Sequence, residues 1–436
     1  MGQIVTFYSY KGGVGRSMAL ANTAALLARW GYRTLIVDWD LEAPGLENFY
    51  REYSSLQSVP DEKGVVDIIS AAYPMMEPEG GDGHAGEAPR QQEEVEAPAE
   101  VELPPWRDYV VSIKIGFRDK AEGTLHLLTA GQRSSPEYFR KVRRFDVQDF
   151  YREQRGGYFI ERLRREWKTE YDVVLIDSRT GVTDIGGICT IQLPDILVLI
   201  FTSTEHGLVG AADVARKATL ARQSLPFDRR KLLTLPILSR FDDSVEFEIS
   251  QRWLDRVEEV VKDLYADWLA ADVRRRDFVE LTKIPYKAFF SFGEKLPVVE
   301  EGTVNRAGMA FAYETLAALL ANRLEGAEQL RENRDGFVRR AASAERSPAP
   351  AGPEVDRALV EQRVEGHEQW LLSNGAAGKA ASFAGLYLRA SDLSSARLAG
   401  ADFGKADLNA VNFASSVLEG ADFSGASLQG ANLRGV

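Results

Sequence analysis

The sequence predicts an α/β protein built on a doubly wound, mostly parallel sheet, followed by a small repeat domain of another kind. Three observations predict it. Apolar runs with strand composition alternate with helix-length stretches over roughly residues 1–325. A glycine-rich turn, Lys11-Gly12-Gly13-Val14-Gly15-Arg16-Ser17, joins the first apolar run to the first helical stretch. From Phe383 to Leu433, Leu or Phe recurs at every fifth position, a period that suits neither strand nor helix.

Taken in order, Ile4–Ser9 reads as the first strand, Ser17–Trp30 as the first helix and Thr34–Asp38 as the second strand. Residues 76–105 break the alternation with nine acidic residues against one basic, and with Gly80, Gly81, Pro89, Pro98, Pro104 and Pro105. That composition predicts a disordered acidic insertion. Leu125–Thr129 resumes as a strand and Tyr158–Trp167 as a helix. Val173–Asp177 is an apolar run closed by a carboxylate, and Ile196–Thr202 and Leu232–Leu238 are further runs of the buried type. Phe247–Leu269 and Arg306–Leu324 read as long helices. Residues 326–356 are expected to form a helix and a Pro/Ala-rich linker, residues 357–380 a capping helix, and residues 381–436 the repeat domain.

A chain of 436 residues allows two or three domains with ample core. The net charge of −12 argues against a broad nucleic-acid surface and leaves a local basic patch open. One cysteine, Cys189, gives no disulfide and no zinc cluster, and four scattered histidines argue against a structural metal site. Cys189 in its apolar context reads as an inert core thiol. The chain runs straight into its first strand and has no 18-residue apolar stretch, so a cytoplasmic protein without a membrane span is expected.

A bare turn between a strand and a helix N-terminus aims several backbone N–H groups at one point, where the helix dipole adds positive charge. That is a phosphate cradle. Against the pattern G-x-x-x-x-G-K-[ST], only Gly15 and Ser17 match; Tyr10 replaces the first glycine and Arg16 the lysine. With Lys11 at its start, the loop resembles the deviant phosphate loop of ParA/MinD-type ATPases, K-G-G-x-G-K-[ST], and in wording the KGGVGR-motif variant AAA ATPases. The resemblance covers about residues 1–325 and implies a P-loop NTPase fold with ATP and Mg²⁺ as cofactors. It implies nucleotide contacts from Lys11, Gly12, Gly13, Val14, Gly15, Arg16, Ser17, Met18 and Pro285, with Lys11 reaching across a homodimer to the partner's nucleotide. Ser17 would ligate the metal.

Asp38-Trp39-Asp40 closes the second strand, at the sheet edge where ligands collect. By resemblance to switch I, Asp40 would orient the attacking water and Asp38 would hold a metal-bound water; otherwise both are turn carboxylates or a helix cap. Asp177, closing its strand like a Walker B aspartate, would reach the metal through water, or would cap the next turn. Gly181, Asp184, Gly186 and Gly187 resemble a switch II. Arg179 is open between phosphate contact and a structural ion pair. Ser239 stands where relatives carry a base-reading Asn, and Ile284-Pro285-Tyr286 resembles the segment that packs against the base.

The five-residue period, with small residues at Ala396, Ala401, Ala406, Ala421, Ala426 and Ala431, resembles the pentapeptide-repeat family. That implies a small right-handed quadrilateral β-helix with four repeats per coil. The segment around His367 and Trp370 looks like its capping helix. Two functions stay open. One is an ATP-binding, ATP-hydrolysing switch that dimerises around nucleotide and docks an unknown protein partner through the repeats. The other is a non-catalytic nucleotide-sensing scaffold, suggested by Tyr10 and Arg16. A DNA-mimicking rod is disfavoured, because the repeats carry nearly balanced charge.

Overall fold

The computed structural model describes residues 2–53, 62–72, 103–117, 122–152, 156–179, 187–223, 225, 230–242, 246–343 and 357–436, the last without 374, 387, 389, 390, 392, 407, 409, 410, 429 and 430. The chain divides into two compact units, residues 2–344 and residues 345–436.

The first unit is built on seven strands: β1 (Gln3–Tyr8), β2 (Thr34–Asp38), β3 (Val110–Gly116), β4 (Glu122–Leu128), β5 (Val173–Asp177), β6 (Ile196–Phe201) and β7 (Leu233–Leu238). Their order is β3-β4-β2-β5-β1-β6-β7. Every pairing is parallel except that of the edge strand β3 with β4. The chain leaves β1 toward β2 on one side and later crosses from β5 to β6 on the other. The switch point therefore lies at the carboxyl end of β1.

Alternate residues of the central strands enter opposite cores. Val5, Phe7, Ile36, Val173 and Leu175 pack with the helices α1 (Arg16–Arg29), Glu205–Arg222 and Met309–Ala321. Ile4, Leu35, Val37, Val174 and Ile176 pack with Val65, Phe150, Phe159 and Trp167 on the other face. Burial on both faces is why these strands read as unbroken apolar runs. In α1, Ala19, Ala21, Ala24, Ala25 and Ala28 are all buried, so a thin helix fits between the sheet and Met309–Ala321.

Several expectations shift. The helix expected over 247–269 ends at Val261 and tightens into a 3₁₀ turn at Lys262–Tyr265; the one expected over 306–324 spans Met309–Ala321. The first unit also runs past residue 325. Helix Gln329–Ser343 buries Leu330, Phe337, Val338 and Ala341 in the same core as α1, and Tyr32 donates to the Ala341 carbonyl at 3.0 Å. Residues 344–356 of the expected helix and linker, and residues 76–102 of the acidic insertion expected over 76–105, lie outside the described residues. Among the described residues, no helix is long and apolar enough to cross a membrane.

The second unit is a β-helix whose ladder steps by twenty residues: Ser382 pairs with Asp402, Asp402 with Asp422, Arg397 with Val417 and Asn412 with Asn432. Twenty residues are four pentapeptides, one per side. Phe383, Phe403 and Phe423 stack on the axis with ring centroids 5.0 Å apart at each step, close to ordinary strand spacing. Among the described residues, the residue two positions after the central one turns its corner in left-handed conformation, as Gly400 (φ 70°) and Lys405 (φ 57°) do. Helix Arg357–Leu372 adjoins the first coil. Its buried His367 accepts the Ala381 N–H at Nδ1 (2.9 Å) and lies 3.1 Å through Nε2 from the Ala399 carbonyl.

Candidate functional site

The strand–loop–helix unit at the switch point carries the site. Gly13 (φ 74°) and Gly15 (φ 88°) take left-handed conformations that L side chains rarely adopt. A side chain at Gly12 or Gly13 would meet nothing within 4 Å, so the loop faces open space. Gly15 precedes α1 without a side-chain cap, and no acidic residue stands in the first turn. The first amides of α1 therefore keep donors free of any capping side chain.

Beside the loop, β2 and β5 end in register, with Asp38 opposite Asp177. Arg16 turns inward, not toward the open face. Its Nε donates to Asp177 Oδ1 at 2.5 Å and its Nη2 to Asp40 Oδ2 at 2.9 Å. Ser17 Oγ donates to the other Asp177 oxygen at 2.5 Å. Arg16 is only 7% exposed, yet its Nη1 has no partner among the described residues. Burial works against the guanidinium's charge, but Asp177 and Asp40 more than restore it, so its pKa rises further above the usual value.

Asp38 accepts three backbone N–H groups, from Asp40 (3.1 Å), Gly45 (3.0 Å) and Leu46 (3.1 Å). It thereby shapes the turn after β2. Burial first, and Asp177 second, still push its pKa up to about 7. The turn is held from several sides: Arg179 pairs with Glu42 at 2.5 Å, Arg133 donates to the Pro44 carbonyl at 2.9 Å and pairs with Glu47, and Tyr138 donates to the Leu41 carbonyl at 2.7 Å. Arg133 and Tyr138 carry no local signal in the sequence, since they reach residues about ninety positions away.

Lys11 is exposed and makes no hydrogen bond or ion pair among the described residues. Val14 is buried and Met18 half-buried. Tyr10 packs sideways against helix Glu205–Arg222, 5.0 Å from the His206 ring; a Cβ at Gly210 would sit 2.6 Å from its ring. Ser239, at the expected base-reading position, is buried and donates to the Val14 carbonyl at 2.8 Å. Its neighbour Arg240 donates to the Gly13 carbonyl at 2.9 Å and lies over the Tyr286 ring at 5.1 Å. Pro285 pairs with Phe241, so the 284–286 segment is tied to the loop through Arg240. The loop, Arg16, Ser17, Asp38, Asp40 and Asp177 thus come together, with Pro285 one residue removed. Residues 180–186, including Gly181, Asp184 and Gly186 of the expected switch II, lie outside the described residues. Cys189 is a buried core thiol whose pKa burial drives well up.

Among the described residues, no three His, Cys, Asp or Glu side chains converge as a metal cage. What the site offers is hard oxygen donors, the Ser17 hydroxyl with three carboxylates nearby. Such a set suits a cation that keeps waters and phosphate among its ligands.

The family model for pentapeptide repeats matches residues 379–409 and 406–436, in 8 copies. No curated protein matches the chain. Among solved structures, the chain is similar to the septum site-determining protein MinD of Pyrococcus horikoshii OT3 complexed with Mg-ADP, at 16% identity over 75% of this chain and 99% of that one (TM-score 0.46). It is similar to the cell division ATPase MinD of Pyrococcus furiosus at 16% identity over 73% and 100% (TM-score 0.44). It is also similar to pNOB8 ParA bound to nonspecific DNA at 14% identity over 74% and 99% (TM-score 0.45).

Proposed function

We propose that the first unit binds ATP with Mg²⁺ at the Lys11–Met18 loop and works as a slow, ATP-hydrolysing switch that dimerises around nucleotide. The observation that carries this reading is the uncapped, open glycine loop set beside the in-register carboxylates Asp38 and Asp177. Backbone N–H groups of residues 12–17 would receive the phosphates, and Pro285 would lie against the base. Ser17 would ligate the metal, with Asp38 and Asp177 behind it. When bound, Mg²⁺ would offset the negative charge of the phosphates. Asp40 would orient the attacking water once Arg16 releases it. Lys11, exposed and unpaired among the described residues, would reach the partner copy's nucleotide. The β-helix would dock a protein partner.

The test is ATP binding and turnover with Mg²⁺, read beside light scattering, on wild type, Lys11→Ala and Asp40→Ala. Turnover lost in both variants, with mass doubling on ATP only in wild type, is expected. Tight binding without turnover or a mass change would instead favour the nucleotide-sensing scaffold. That second reading is supported by Arg16, which ties up Asp40 in this structure.

A further inference from the structure

We propose that Arg16 is a built-in counter-cation: it holds Asp177 and Asp40 in place of a divalent metal, and it must leave them before a metal–nucleotide pair is seated. Both oxygens of Asp177 are engaged, one by Arg16 Nε and the other by Ser17 Oγ. Asp40 is engaged likewise, by Arg16 Nη2 at one oxygen and by the Ala43 N–H at the other, 3.3 Å away. A cation approaching these carboxylates meets a guanidinium already there.

This gives a physical reason for arginine where the common loop pattern has lysine. A lysine presents a single nitrogen, whereas the guanidinium grips Asp177 at the end of β5 and Asp40 in the turn after β2 through separate N–H groups. The pose is incomplete, because Nη1 is buried without a partner among the described residues and one positive charge is shared between two carboxylates. Phosphate oxygens at the loop would satisfy the guanidinium bidentately. Arg16 then leaves the carboxylates when an anion arrives with the metal, and it releases Asp40 in the same movement. A metal without phosphate gives Arg16 nowhere to go.

The inference rests on the nucleotide reading only for what draws Arg16 away; its competition with metal is testable without nucleotide. Full-length wild type, Arg16→Ala and Arg16→Lys are titrated with Mn²⁺ alone, followed by the free-ion electron paramagnetic resonance signal and by Tm. Wild type should bind weakly with an unmoved Tm. Arg16→Ala should bind about tenfold or more tightly, with a Tm that Mn²⁺ raises, and Arg16→Lys should fall between. The gain should vanish in Arg16→Ala/Asp177→Asn. Equal Mn²⁺ binding by wild type and both single variants would overturn the proposal. If Arg16→Ala does not fold, Arg16→Lys decides: affinity above wild type supports the proposal and equality overturns it. Failure of the nucleotide reading would show separately, as no ATP binding by wild type with the Mn²⁺ contrast intact.

Discussion

The two units treat buried polarity in opposite ways. In the β-helix unit, the buried polar side chains among the described residues are His367 and Ser416. Both are hydrogen-bonded, His367 to Ala381 and Ala399, Ser416 to the Phe413 carbonyl. In the first unit, Arg16, Asp38, Asp40, Glu47 and Asp177 are all buried at one edge of the sheet. Burying charge is costly unless it is paired, so a charged cluster at a switch point beside an open loop marks a place for chemistry. A regular stack of Phe and Leu, with Asp and Asn bonding backbone amides two residues on, marks a scaffold whose use lies on its surface.

That contrast is sharpest where the scaffold is cut. Phe403 stacks between Phe383 and Phe423 and is fully buried. Phe403→Ala should destabilise the β-helix unit by about 3–5 kcal/mol, seen as a lower or lost melting transition. ATP affinity of the first unit should not change. A parallel loss of nucleotide binding would break the separation between scaffold and site.

A smaller effect should appear in the pH profile of the first unit. Asp38 titrates near 7 in the folded chain, above its unfolded value of 3.8. A raised carboxylate disfavours folding in its ionised form. Stability should therefore fall as pH rises from about 4 toward 7, by up to about 1.4 kcal/mol per pH unit, and level off above. Asp38→Asn should flatten that slope in urea melts taken across this range. An unchanged slope would place the titration elsewhere.

The separation of roles was partly legible in the sequence. The β1–loop–α1 unit was visible because Gly13 and Gly15 sit where only glycine tolerates the backbone, and the five-residue period announced the β-helix directly. β3 carries a weak sequence signal, although buried Ile113 and Ile115 alternate with exposed Ser112, Lys114 and Gly116. It sits just after the acidic stretch, and its antiparallel pairing leaves no local mark. Helix Glu205–Arg222 gives a weak sequence signal because its packed face is mostly Gly207, Ala211, Ala212, Ala215 and Ala218, with Leu208 as its large apolar residue. Helix Gln329–Ser343 was set apart from the first unit because its charge hides the spaced Leu330, Phe337, Val338 and Ala341. The inward turn of Arg16 was beyond reach, since its partner Asp177 lies 161 residues away.

Hydrogen exchange on the full-length chain, with and without Mg²⁺ and ATP, tests most directly that nucleotide chemistry belongs to the first unit's charged edge. Slowed exchange is expected in peptides covering 9–18 and 38–47, with no change over 381–436. Unchanged exchange at 9–18, or nucleotide-dependent protection confined to the β-helix, would contradict it.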